Sequence, residues 1–213
     1  MILLPSPNRQ SAISLNQGII SLMDTRPPTR DEAFSLLKEF NHTDKAIKHA
    51  LAVEATMRHF ARKRNHDEEK WGLIGLIHDL DYEQFPAEHC TKTLEILTAR
   101  NYPSDYIHAV LSHGFGVCSE VEPTHEMEKV LFAIDELTGL VSAAALVRPS
   151  KSILDLEVKS VKKKWKEKSF AAGVDRSVIE RGAAMLDTPV DSLIAEVIDA
   201  LRGIADQIGL GGV

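Results

Sequence analysis

The stretch Leu73–Glu83, LIGLIHDLDYE, constrains this chain more than any other. An apolar run ends abruptly in His78-Asp79, with Asp81 and Glu83 close behind. A helix this apolar is bound for an interior, and it takes an imidazole and a carboxylate with it. Burying that pair costs several kcal/mol unless something compensates. A bound metal ion is the usual compensation, because its charge holds the carboxylate ionised and the imidazole neutral. The expected fold therefore brings further ligands to His78 and Asp79 from other segments.

Those segments read as helices. Thr29 and Glu32 have capping-box spacing and open a helix through Phe34, Leu36, Leu37 and Phe40. A second is expected from Thr43 to Lys63, with His49 among its apolar positions. Asp67 caps a third that leads to the His-Asp pair. Pro86 opens a fourth, with His89 in its first turn and Leu94, Ile96 and Leu97 facing inward. Ser104 or Asp105 starts a short helix ending near His113-Gly114. A long helix follows Pro123-Thr124 to about Val147, with Asp135 inside its apolar pattern. After Arg148-Pro149, helices are expected from Ser152 to before Gly173, from Asp175 to Leu186, and from Thr188-Pro189 to Ile208. No alternating β-branched run is long enough for a sheet. The fold class is all-α: a helical bundle over residues 27–148, a C-terminal set of helices over 149–213 packed on it, and a loosely held extension over 1–26. Met23, just before the first strong helix signal, is the candidate native start.

The formal net charge of −6 disfavours a nucleic-acid polymer as partner. Cys90 and Cys118 have no CxxC spacing and point to neither a disulfide scaffold nor a thiolate site. No run approaches the ~20 apolar residues of a membrane span. No signal peptide is read at the N-terminus, so the cytoplasm is the expected compartment.

The ionisable residues set within apolar helical segments are His49, His78, Asp79 and Asp135, with His89 and His113 at helix ends. Such side chains suit a nitrogen/oxygen metal site, and their wide spacing is what convergence from separate helices requires. Taken singly, a buried histidine is more often a hydrogen-bonded core residue than a ligand. A buried aspartate is harder to explain without a partner.

The segments KHALAVE, LIGLIHDLDYE and LFAIDELTG, in that order, resemble the HD superfamily of metal-dependent phosphohydrolases. PAEHCTKTLEIL and AVLSHGF resemble the segments that carry two extra histidines in members binding two metals. The resemblance implies a first metal on His49, His78, Asp79 and Asp135. It implies a second on His89 and His113, bridged by Asp79. One or two divalent ions are implied, with iron, manganese or magnesium foremost. The chemistry implied is hydrolysis of a phosphoester of a small molecule, a nucleotide among them, by water whose pKa the metal lowers from about 15.7 to about 7. Asp79 and Glu83 are the catalytic candidates. Many HD nucleotide hydrolases carry a glutamate where this chain has Tyr82, with Glu83 one place further on. The lysine and GYP loop of cyclic-dinucleotide phosphodiesterases are missing. Arg148 and Lys151, just after the Asp135 helix, are the candidate phosphate binders. Lys162, Lys163 and Lys164 read as a solvated face, and Cys90 as a small core residue. The alternative reading is a di-iron oxygenase of the same superfamily, acting on a small alcohol or phosphonate. The C-terminal helices either complete this core or dock on a second copy as a homodimer.

Overall fold

A computed structural model of the protein describes residues 26–212. The extension read over residues 1–26 and the candidate start at Met23 lie outside the described residues, Arg26 excepted. The described chain is all-α, as expected. Its helices are α1 (Arg30–Phe40), α2 (Asp44–Lys63), α3 (Glu68–Ile77), α4 (Thr91–Ala99), α5 (Ser104–Ser112), α6 (Glu126–Leu146), α7 (Val158–Trp165), α8 (Arg176–Met185) and α9 (Val190–Arg202). A 3₁₀ turn, Pro86–Glu88, stands between α3 and α4. Among the described residues β-pairing is limited to two isolated bridges, Phe115 with Ser119 and Ser152 with Gly211.

Local chemistry starts the helices where the residues predict. Thr29 and Glu32 form a reciprocal capping box on α1, and Thr43 and Asp67 cap α2 and α3. His125 caps α6, with Glu128 completing the box. The apolar helix α3 is buried from Trp71 to Ile77. It packs chiefly on α2 and also touches α1 and α5. A helix apolar on every side can be stable only when covered on every side, and this one ends by delivering His78 into the interior.

α6 is the second organising element. It lies against α2, α5, α7, α8 and α9. Its contact with α8 is close: a Cβ on Gly182 would stand 2.5 Å from both Cα and Cβ of Ala133, so only glycine permits the approach. α9 packs on α2 as well as α6, which seats the C-terminal helices on the bundle. No helix among the described residues is long and apolar enough to cross a membrane.

Two helix starts move. The segment after Pro86 makes only a 3₁₀ turn, then leaves the helical path: His89 is extended and Cys90 is left-handed, with φ 67°. The helix resumes at Thr91, so Leu94 faces solvent and Leu97 the core. The stretch from Ser152 is likewise not helical until Val158, because Ser152 and Ile153 pair with the C-terminal Leu210 and Gly211.

Candidate metal centre

Five separate segments aim polar side chains at one place. α2 supplies His49, the turn after α3 supplies His78 and Asp79, the break before α4 supplies His89, the end of α5 supplies His113, and α6 supplies Asp135. His49 Nε2 and His78 Nε2 lie 3.0 and 3.1 Å from Asp135 Oδ1. The same two nitrogens lie 3.6 and 3.5 Å from Asp79 Oδ2. The other oxygen of Asp79, Oδ1, is 3.4 Å from His89 Nε2 and 3.5 Å from His113 Nε2. Those two nitrogens are 3.2 Å apart. Asp79 therefore stands between two donor groups, with one oxygen turned to each.

The outer ring nitrogens fix what the inner ones can do. His78 Nδ1 donates to the carbonyl of Gly75 at 2.8 Å, and His113 Nδ1 donates to the carbonyl of Val110 at 2.5 Å. His89 Nδ1 donates to Asp81 Oδ1 at 2.6 Å. Carbonyls and carboxylates only accept, so in each neutral ring the proton sits on Nδ1 and Nε2 carries a lone pair. The lone pairs of His89 and His113 then face each other, and that of His78 faces two carboxylates. Such a set needs positive charge at its centre. Divalent ions about 2.0–2.2 Å from nitrogen and oxygen donors leave neighbouring donors roughly 3 Å apart, which is the spacing found. His49, His78, Asp79 and Asp135 could hold one ion, their donor atoms all lying within 4.8 Å of one another.

The titration of these groups tells the same story. Burial alone would push His49 down, but the hydrogen bond and charge of Asp135 raise it to about 9. His89 rises to about 10 against its burial, through Asp81. His113 is raised by Asp79, again against burial. Burial favours the neutral acids of Asp79 and Asp135, yet the neighbouring imidazoles, His78 foremost, hold both well below the usual carboxylate range. Without metal, protons supply the charge the donors demand; a cation would displace them.

Three expected site residues make no hydrogen bond or ion pair with these donors among the described residues. Glu83 accepts hydrogen bonds from the backbone of His42 and Thr43, at 3.1 Å each, and from the Thr43 hydroxyl at 2.8 Å. It closes the start of α2, and these bonds lower its pKa, which suits an acceptor and not an acid. Arg148 is engaged with Asp155: Nη2 and Nε reach its carboxylate at 2.8 and 3.3 Å, and Nη2 also donates to the Asp155 carbonyl. A guanidinium neutralised in its own loop is poorly placed to grip a substrate phosphate. Lys151 is exposed in the same loop, in a left-handed turn with φ 46°.

Other residues enter unforeseen. Asp81 is fully buried; one oxygen accepts from His89 Nδ1–H and the other from the Thr93 backbone at 2.8 Å, so it orients the His89 ring and caps α4 together. The only sequence sign was a second aspartate in HDLD. Glu136, beside Asp135, has a carboxyl pushed up to about 7 by burial and then by Asp135. The sulfur of Cys90 falls within 4.8 Å of a ring nitrogen of both His89 and His113. The Cys118 thiol is pulled down to about 5 by Cys90 and then by His89, while the Cys90 thiol is pushed up by Cys118 and by burial.

With this geometry in hand, comparison with known proteins gives one result: residues 46–140 match the family model of the HD domain. No curated protein and no solved structure matches the chain.

Proposed function

We propose that the chain is a phosphohydrolase that cleaves a phosphoester of a small molecule at a two-metal centre, a reading supported by the HD-domain match over residues 46–140. The observation that carries this reading is Asp79, whose two oxygens face two separate donor groups. His49, His78 and Asp135 would hold one ion, His89 and His113 the other, and Asp79 would join them. When bound, the ions would lower the pKa of water to about 7 and neutralise the phosphoryl oxygens.

The residues around the donors do the rest. The carbonyls of Gly75 and Val110 fix the tautomers of His78 and His113, and Asp81 does so for His89. Each ring is therefore held with Nε2 facing inward, and once that nitrogen's proton is displaced little reorganisation remains. Tyr82 is exposed and meets His89 edge-on with ring centroids 5.1 Å apart, so it borders the approach to the His89 side.

The test is release of inorganic phosphate from a panel of nucleotides and sugar phosphates, with and without manganese, by the full chain and by Asp79→Asn. Metal-dependent release lost in the variant supports the reading. Release that survives the substitution removes Asp79 from the scheme. The imidazole-rich donor set also suits iron, which favours the di-iron oxygenase as a second reading. Oxygen uptake with small alcohols or phosphonates by iron-loaded protein that releases no phosphate would put it first.

A further inference from the structure

The two cysteines are distant in sequence and meet in space. A Cβ on Gly114 would stand 2.3 Å from Cys118 Sγ and 2.6 Å from Cys90 Sγ. Both sulfurs occupy the volume a side chain at 114, next to His113, would need, and only glycine leaves room. Cys90 directly follows His89, and its φ of 67° is a backbone conformation that L-residues rarely adopt. None of the other left-handed non-glycine residues described is a helix N-cap. Cys90 is one, yet it makes no capping hydrogen bond; Asp81 serves the α4 backbone in its place. Capping does not explain the strain. What the turn achieves is to aim Sγ at the ring nitrogens of His89 and His113. Strain of this kind gathers at working sites.

The two halves of the centre are also unequal. His49, His78, Asp79 and Asp135 give the first half four protein donors. Nitrogen and oxygen atoms give the second only His89 Nε2, His113 Nε2 and Asp79 Oδ1. We propose that Cys90 Sγ is the fourth protein donor of the second half, which makes it a mixed nitrogen, oxygen and sulfur site that selects ferrous iron, cobalt(II) or zinc over magnesium. Thiolate favours softer cations, whereas magnesium prefers oxygen. On binding, the S–H bond breaks, a sulfur–metal bond forms and the proton leaves to solvent; no electron is transferred. Cys118, whose sulfur lies against the same Gly114 position, is a neighbour of the site and not a ligand. The inference rests on the two-metal reading above.

The test is an anaerobic titration of the reduced, metal-free full chain with cobalt(II), followed by absorption. A thiolate-to-cobalt charge-transfer band in the near ultraviolet is expected to grow with one of two bound equivalents. Cys90→Ser is expected to lose that band while both equivalents still bind; Cys118→Ser is expected to keep it. Two bound equivalents with no such band in the unsubstituted protein would overturn the inference and leave the two-metal reading standing. A band that survives Cys90→Ser would also overturn it. Failure to bind any cobalt would overturn both. Should Cys90→Ser not fold, Cys118→Ser decides the matter: a band kept supports Cys90, and a band lost overturns the inference.

Discussion

Replacing Asp81 by asparagine turns one oxygen of a fully buried carboxylate into an amide nitrogen and changes little else in shape. The carboxylate serves two donors, the His89 Nδ1 proton at 2.6 Å and the Thr93 backbone N–H at 2.8 Å. Asparagine has one acceptor oxygen, so one donor must face the new amide hydrogens. If the cap on α4 is kept, His89 must move its proton to Nε2 and lose the lone pair it would offer a second ion. A hydrogen bond to a charged group contributes about 1.5–3 kcal/mol. At about 1.4 kcal/mol per factor of ten, the second equivalent should bind roughly tenfold to a hundredfold more weakly. The first equivalent should be unaffected, because none of its donors touches Asp81. Calorimetric titration with manganese, comparing Asp81→Asn and Asp79→Asn, reads the two equivalents separately. Equal weakening of both in Asp81→Asn, or no change in either, would refute the assignment of Asp81 to His89 alone.

Three further outcomes are expected. Gly114→Ala forces a methyl group against both cysteine sulfurs and should lower stability by about 1–3 kcal/mol, or the melting temperature by roughly 2–12 °C; an unchanged melting curve would deny that the sulfurs meet there. In metal-free protein His49 and His89 are raised from an ordinary 6.5 to about 9 and about 10. The stability they contribute is complete below about pH 6.5 and lost as pH rises through 9–10, while metal affinity climbs over the same range as protons are displaced. Melting of metal-free protein across pH 6–11, with proton release on cobalt binding, checks both signs, and a metal-free protein that gains stability toward pH 10 would contradict them. Glu83→Gln should lower the melting temperature by weakening the start of α2 and leave phosphate release intact; lost turnover at an unchanged melting temperature would return Glu83 to the reaction.

The donor-bearing helices were legible because each charged residue interrupts an apolar stripe that has to be buried. His78, Asp79 and Asp135 stand out for that reason alone. Asp81 was harder: its burial depends on the turn after α3, which periodicity does not describe. The cysteines were read as unrelated because their meeting depends on the chain leaving the helical path at His89 and Cys90. The same break turned Leu94 outward. Arg148 looked free because nothing in VRPSKS reveals that Asp155 folds back on it. Positions set by helical period could be read; those set by a turn, a loop or a neighbour's charge could not.

The flush seating of Gly182 on Ala133 bears on any attempt to isolate the HD segment. The family match stops at residue 140, yet the stretch of α6 just ahead of Asp135 is held from outside by α8, which comes later in the chain. A fragment trimmed to the matched boundaries would strip that helix of its backing and leave Asp135 on a wall with nothing behind it. Anyone cutting this protein down to its family-matched segment should keep the tail.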